Sequence, residues 1–134
     1  MSFIRFFMIA FAISIFNLIY GQHQNIQIIS VDGPNEPTIY IDPNNTNRMI
    51  GGSNLNFYFY SNDGGLTWQH DVLISEPYGV WGDPVTMVDN EGNYYFFHLS
   101  NPVSGNWIDR IVCQKSTDGG ITWNEGTYMG LNGT

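Results

Sequence analysis

Short apolar segments separated by turn formers make up most of this chain. The apolar runs span about four to eight residues, and none of them repeats at the spacing of one helix face. Asn, Asp, Pro and Gly cluster between the runs, as they do between strands. The pattern predicts an all-β fold after the N-terminal segment, with strands at 38–42, 48–52, 56–61, 67–74, 85–89, 93–100, 110–116 and 122–129.

Two of the predicted strands are aromatic at every position of their central part. Residues 57–60 and 94–97 are all Phe or Tyr. A strand with one face in water alternates polar and apolar residues, so these two strands should be covered on both faces. A small sheet stacked between two similar sheets meets that condition.

An internal repeat divides the chain into two units. Residues 61–68 and 116–123 are identical at six of eight positions, and residues 36–42 align with 83–89 as an acid–proline pair followed by an apolar strand that ends in Asp. The second unit is longer, and its extra residues fit in the polar loop 101–109. We predict one domain, 22–134, of two four-stranded antiparallel repeats at about 34–75 and 80–130.

The first 21 residues predict a secretory signal peptide. Arg5 precedes an uncharged run that ends at Gly21, shorter than the roughly 20 apolar residues that cross a bilayer and typical of a cleaved signal. We expect a mature chain that begins near Gln22, secreted or at the cell surface, without a stable membrane span. An uncleaved anchor is the alternative, and the polar Ser14 and Asn17 weigh against it.

Charge and cysteine content narrow the possible partners. The formal net charge is −8, and Arg48, Arg110 and Lys115 are the fixed cations after the signal. Such a chain is a poor candidate for binding nucleic acid or anionic lipid. The single cysteine, Cys113, excludes an intrachain disulfide, and we expect it to be a buried strand residue rather than a nucleophile.

The repeated octapeptide resembles the Asp-box, or BNR repeat, of the sialidase superfamily and related β-propellers. The pattern Ser-x-Asp-x-Gly-x-Thr-Trp is complete in both copies, and the resemblance covers about residues 34–130. It implies that each repeat is a propeller blade and that the Asp-box joins its third and fourth strands, away from an active site. The residues expected to have this structural role are Ser61, Asp63, Gly65, Thr67, Trp68, Ser116, Asp118, Gly120, Thr122 and Trp123.

The Asp-box turns predict structure rather than metal binding. Asp63 and Asp118 can accept hydrogen bonds from N–H groups of their own turns, glycines allow positive φ, and Trp68 and Trp123 can cover the turns. Each loop offers one carboxylate, whereas calcium takes about six or more oxygen ligands. We expect no metal site and no cofactor.

Candidate site residues precede the first strand of each unit, where ligands usually meet a propeller. Glu36 and Asp83 hold equivalent places, and Trp81 could stack on a sugar ring. The alternative is a strand-start signature in which the carboxylate caps a turn and the proline fixes φ. That alternative is favoured because the acid–proline pair occurs in both units.

The resemblance implies an exported sialidase-like glycoside hydrolase that cleaves terminal glycosidic bonds, of sialic acid type, with glycans or glycoproteins as partners. Such enzymes use an arginine cluster, a tyrosine nucleophile with a glutamate partner, and an aspartate acid/base. Neither Arg48 nor Arg110 matches a motif of that set, so the catalytic residues stay unassigned. The first alternative is a non-catalytic propeller that binds glycans or proteins at the cell surface, and the second is an assembly or sorting-receptor propeller.

Two blades are too few to close a propeller, which takes about four to eight. The spacing of the repeats puts the start of a next blade just beyond Thr134. We therefore expect the chain by itself to be inactive. Further blades of the same protein, or copies of this chain, would complete the propeller.

Overall fold

A computed structural model describes residues 24–30 and 34–129. Within these residues the fold is all-β, without helices, and consists of two four-stranded antiparallel sheets in sequence order. The predicted signal peptide lies outside the described residues. No helix that could cross a membrane is present in the part of the chain described.

The two sheets correspond to the two repeat units. The first contains β1 (Thr38–Ile41), β2 (Met49–Ser53), β3 (Phe57–Ser61) and β4 (Gln69–Val72). The second contains β5 (Gly82–Val88), β6 (Tyr94–Leu99), β7 (Ile111–Ser116) and β8 (Thr127–Met129).

The outer strands begin later than the sequence predicts. Thr67 and Thr122 were expected to open β4 and β8, but both are bonded to the preceding Asp-box turn. In the second sheet the Asn124 side chain also accepts a hydrogen bond from the backbone N–H of Lys115 at 2.8 Å, where a strand partner would otherwise stand. The ladder between β7 and β8 therefore starts only at Thr127.

The sheets stack face to face and enclose the core between them. We call the face that a sheet turns toward the following repeat its forward face, and the opposite one its backward face. The forward face of the first sheet meets the backward face of the second, and β1 and β2 lie against β5. The core formed there consists of Ile50, Tyr58, Leu73, Val88, Tyr94 and Phe96.

A glycine lets the two sheets approach closely. The Phe96 ring lies over Gly52 of β2, and a Cβ at Gly52 would stand 2.5 Å from the Phe96 Cε2. Phe96 is fully buried. The second repeat thus inserts an aromatic ring into a gap that the first repeat leaves open.

Polar groups also cross the sheet interface. Thr38 Oγ1 and Thr86 Oγ1 lie 3.3 Å apart. Arg48, from the turn between β1 and β2, donates to the Gly92 carbonyl at 3.0 Å, and its guanidinium lies over the Tyr94 ring. Arg48 also pairs with the buried Asp42 at 3.4 Å, so one cation joins the turns of both repeats.

A buried amide joins the second sheet to the linker between the repeats. Gln114 Nε2 donates to the carbonyls of Ile74 (2.8 Å) and Asn124 (2.6 Å), and its Oε1 faces the ring of His98 at 3.1 Å. Burial lowers the pKa of His98, so this imidazole is neutral at pH 7. In the same region, Ser75 donates to the Glu125 carbonyl at 2.8 Å.

The two faces that point away from the interface remain apolar and partly exposed. On the forward face of the second sheet, Val85 and Ile111 are exposed and Phe97 is half-buried. On the backward face of the first, Ile39 and Ile41 are exposed. The aromatic strands were predicted to be covered on both faces. In β3, Tyr58 and Phe59 are buried on opposite faces, whereas in β6 only the face of Tyr94 and Phe96 is fully buried.

Candidate functional site

Strand order places the loops of each sheet at two opposite ends. The Asp-box turns, between β3 and β4 and between β7 and β8, lie at one end together with the β1–β2 turn, whose Asn47 carbonyl accepts a hydrogen bond from the Gly64 N–H. The starts of β1 and β5 and the loops 54–56 and 100–110 lie at the other end. We call this second end the rim.

The first Asp-box turn is held by a closed set of hydrogen bonds. Ser61 Oγ donates to Asp63 Oδ1 at 2.8 Å and accepts from the Gly65 N–H at 2.9 Å. Asp63 in turn accepts from the Thr67 N–H at 2.9 Å and from the Thr67 hydroxyl. Gly64 and Gly65 have positive φ, a backbone conformation that residues with a side chain rarely adopt.

The second Asp-box repeats this set with nearly the same distances. Ser116 Oγ lies 2.8 Å from Asp118 Oδ1 and 2.9 Å from the Gly120 nitrogen, and Asp118 Oδ1 lies 2.9 Å from the Thr122 nitrogen. The three polar side chains of each motif, from Ser, Asp and Thr, bond to one another and to backbone N–H groups of the turn. The arrangement is that of a turn stabilised from within, as predicted for the Asp-box.

The two motif tryptophans differ in what they touch. Trp68 folds back on its own turn, and its indole N–H donates to the Gly65 carbonyl at 3.0 Å. Trp123 instead points into the sheet interface, where its ring packs edge-on against Tyr58 (5.4 Å between centroids) and Phe96 (6.2 Å). The difference arises because Trp123 has a preceding sheet to pack against.

Hydrogen bonds hold both Asp-box carboxylates in the charged form. The Thr67 hydroxyl is the largest influence that lowers the pKa of Asp63 to about 2, and the Thr122 hydroxyl does the same for Asp118. Their ordinary value is 3.8. Because the folded-state pKa is depressed, the stabilisation is complete above about pH 4 and is lost as the pH falls through about 2.

We therefore expect both carboxylates to stay ionised at pH 3. Carboxyl carbon shifts followed by NMR between pH 6 and 1.5 should show Asp63 and Asp118 titrating near pH 2. In the Ser116→Ala variant, which removes a donor to Asp118, only the Asp118 midpoint should rise. Midpoints near 3.8 for both residues in the folded protein would contradict the hydrogen-bond network.

At the rim, Asn54 joins the two candidate carboxylate positions. Its Nδ2 donates to Glu36 Oε2 at 2.5 Å, and its Oδ1 accepts from the Asp83 backbone N–H at 2.8 Å. Glu36 and Asp83 are the residues that the sequence singles out. The structure brings them to neighbouring places, although only the side chain of Glu36 takes part in this bridge.

Both acidic residues have an uncommon backbone conformation. The φ of Glu36 is 53° and that of Asp83 is 50°, in the left-handed region where residues other than glycine are rare. Each is followed by a proline, which lies just before β1 in the first repeat and within the first residues of β5 in the second. Such strain is found at functional sites and at structural turns alike.

An aromatic pair stands beside Asp83. Trp81, the third candidate, packs edge-on against Trp107 with 5.1 Å between ring centroids. Its backbone N–H donates to the Leu99 carbonyl at 2.9 Å, which fixes its position at the end of β6. Trp107 comes from the loop 100–110 and is 59% exposed, so it presents a ring to solvent.

A second aromatic group at the rim surrounds Arg110. The guanidinium lies over the rings of Tyr128 (4.4 Å) and Tyr78 (5.9 Å) and pairs with Asp109. The Arg110 side chain lowers the pKa of Asp109 to about 2, and Ser100 donates a further hydrogen bond to that carboxylate. The charge of Arg110 is therefore balanced before any ligand arrives.

Sequence reasoning did not find Trp107, Asn54 or the tyrosines around Arg110. Trp107 and Arg110 lie in or next to the loop that makes the second unit longer, and insertions on one side of a repeat often carry binding residues. The extra length of this loop in the second unit is the sequence feature that could have indicated Trp107 and Arg110 as binding residues. The partners of Asn54 are 18 and 29 positions away, and no local pattern indicates them.

No group of side chains suited to a metal ion occurs among residues 24–30 and 34–129. Cys113 lies on β7 and is half-buried, and burial raises the pKa of its thiol. Within the same residues, the fixed cations are engaged with protein groups: Arg48 and Arg110 as described, and Lys115 over the Tyr95 ring. Arg110 is the cation at the rim, and its charge is paired with Asp109.

The BNR/Asp-box repeat is found at two places in the chain, residues 59–70 and 114–125. These matches confirm the prediction of two Asp-boxes, and each spans one of the two Asp-box turns described above. Membership of the sialidase superfamily and a propeller are consistent with the matches. A comparison with curated proteins found no match for the chain.

Proposed function

We propose that the two sheets are blades of an exported, sialidase-like β-propeller whose rim recognises glycans. The observation that carries this function is the exposed ring of Trp107 supported by Trp81, next to Asp83. Aromatic rings offer sugars a flat apolar surface, and a few polar groups then fix orientation. The carboxylates of Glu36 and Asp83 and the amide of Asn54 stand within the same rim and supply acceptors for hydroxyl groups.

At this position the proposed site recognises an uncharged part of the glycan. An acidic sugar needs a cation that is free to pair with its carboxylate. Arg48 pairs with Asp42, Arg110 pairs with Asp109 at the rim, and Lys115 lies over the Tyr95 ring. A formal net charge of −8 adds long-range repulsion toward any anion.

Hydrolysis of terminal glycosidic bonds, of sialic acid type, is the second candidate, and the Asp-box matches are consistent with it. In that case the arginines and the tyrosine nucleophile come from outside residues 24–129. Glu36 and Asp83 are the carboxylates at the rim that could transfer a proton in that reaction. The alternative without chemistry is a propeller that binds glycans or proteins at the cell surface.

The first test is binding of neutral and sialylated oligosaccharides by the full chain, followed by NMR or tryptophan fluorescence. We expect Trp107→Ala to weaken binding about tenfold, because an aromatic stacking contact contributes roughly 1 kcal/mol or more. Trp107→Phe should retain most of the affinity. Val103→Ala, fully exposed in the same loop, is the matched control and should change nothing.

Two results would reject glycan recognition at this position: no binding to any oligosaccharide by a folded chain, or equal binding by Trp107→Ala and the unmodified chain. Cleavage of a fluorogenic sialoside, reduced by Asp83→Asn without loss of folding, would support the glycosidase. Binding without cleavage would support the non-catalytic propeller.

A further inference from the structure

The two outer, partly exposed sheet faces are related to the buried interface by the repeat. Strand registers define the equivalent positions from Val85 onward, after a bulge between Gly82 and Val85. Gly52 pairs with Thr38 and Tyr58 in the first sheet, and Phe97 pairs with Val85 and Cys113 at the same place in the second. Gly52 and Phe97 are therefore equivalent positions on the two forward faces.

The backward faces show the reverse arrangement. Gly51 pairs with Ile39 and Phe59, and Phe96 holds the equivalent place between Thr86 and Gln114. Where the buried interface sets the Phe96 ring against Gly52, the two free faces offer Phe97 on one side and Gly51 on the other. In the buried interface the phenylalanine is on the backward face and the glycine on the forward face, whereas on the outer faces the phenylalanine is forward and the glycine backward. Each pair consists of one phenylalanine and one glycine, so the combined side-chain volume is the same, and volume-conserving exchanges are the ones that packed cores tolerate best.

A second pair of positions follows the same rule. In the buried interface the hydroxyls of Thr38 and Thr86 meet. Their counterparts on the free faces are Val85 and Ile39. These side chains are 57% and 58% exposed, and each is apolar where its counterpart is polar. The polar pair Thr38 and Thr86 of the buried interface thus corresponds to the apolar pair Val85 and Ile39 on the outer faces. A matched change of both members is expected if the two outer faces contact each other.

The gap beside Gly51 is present as a cavity. A hollow of about 420 Å³ lies on the backward face and is lined by Gly51, Ile39 and Phe59 together with Ile28 and Ile29 of the N-terminal segment. An apolar cavity of about 150 Å³ already admits benzene. The hollow therefore has room for the Phe97 ring, with Ile28 and Ile29 at its edge.

We infer that the forward face of the second sheet packs against the backward face of the first sheet in a second copy of this chain, with Phe97 seated at Gly51 and Val85 against Ile39. The contact is head to tail, so each copy uses both faces, and such contacts form a ring when the rotation closes. Propellers close at about four to eight blades, which corresponds to about two to four copies.

The test uses the full chain, with its processed N-terminus verified by mass spectrometry, in sedimentation velocity over a range of concentrations. The unmodified chain should form one closed species of two to four copies. Val85→Asp disables the forward face and Ile39→Asp the backward face, so each variant alone should be monomeric. An equimolar mixture should yield a dimer and nothing larger, because one intact interface remains. Val103→Asp, in the exposed loop, should assemble like the unmodified chain.

Restored association in the mixture also shows that both variants are folded. A monomeric unmodified chain at all concentrations would overturn the inference. So would association that survives Ile39→Asp but not Val85→Asp, since two forward faces would then be paired. Association unchanged by either substitution would place the contact elsewhere and overturn it equally.

Discussion

Replacing Trp123 by Ala should lower the free energy of unfolding by about 3 to 4 kcal/mol. The ring packs between Tyr58 of the first sheet and Phe96 of the second, and removal of such an aromatic side chain leaves a cavity that the surrounding core refills only in part. Urea unfolding followed by far-UV circular dichroism measures the change without relying on tryptophan emission.

Trp68→Ala is the matched control for Trp123. The two residues hold the same place in the same motif, but Trp68 covers only its own turn. Its loss should cost about 1 to 2 kcal/mol, because less apolar area leaves water on folding. Equal losses for the two variants would mean that Trp123 acts through its turn rather than through the contact between sheets.

Gly82→Ala should be the second large effect, at about 3 kcal/mol. Gly82 has a φ of 122°, and a Cβ there would stand 2.1 Å from Asn54 Oδ1. The substitution therefore combines backbone strain of about 1 to 2 kcal/mol with overpacking of about 1 to 3 kcal/mol. Chemical denaturation of the variant gives the total.

Gly105→Ala separates these two contributions. Gly105 has a φ of 121°, and its Cβ would meet no atom closer than Pro102 Cγ at 3.6 Å, so only the backbone strain remains. In a Gly82→Ala background, Asn54→Ala should cost less than it does alone, since it also removes the collision. If Gly105→Ala and Gly82→Ala cost the same, Asn54 does not constrain the start of β5.

The sequence predicts the strands and the Asp-box turns well because their determinants are local. The alternation of apolar runs and turn formers places eight strands, and Asp63 and Asp118 bond within four residues of themselves. The predicted starts of β4 and β8 were wrong because Thr67 and Thr122 bond to the Asp-box turn and do not join the strand ladder. Local patterns do not reveal this competition.

The candidate site is less predictable because its contacts are distant in sequence. Repetition of the acid–proline pair indicates Glu36 and Asp83, but nothing near either residue indicates Asn54 as their common partner. The different surroundings of Trp68 and Trp123 cannot be read from identical octapeptides either. The surroundings of each tryptophan depend on the position of its repeat, because among the described residues only the second repeat has a sheet packed in front of it.

The amide of Gln114 has a consequence for how the molecule unfolds. It donates to a carbonyl in the linker after the first sheet and to another beside the second Asp-box, and the linker is also held by Ser75 at Glu125. Opening the junction between the repeats would break the bond from Gln114 to Ile74 and the bond from Ser75 to Glu125, whereas the bond from Gln114 to Asn124 lies within the second repeat and would remain. Each broken bond costs about 1 kcal/mol. The two repeats should therefore melt in one cooperative transition, and amide hydrogens in β3 and β6 should exchange with solvent at the same free energy of opening.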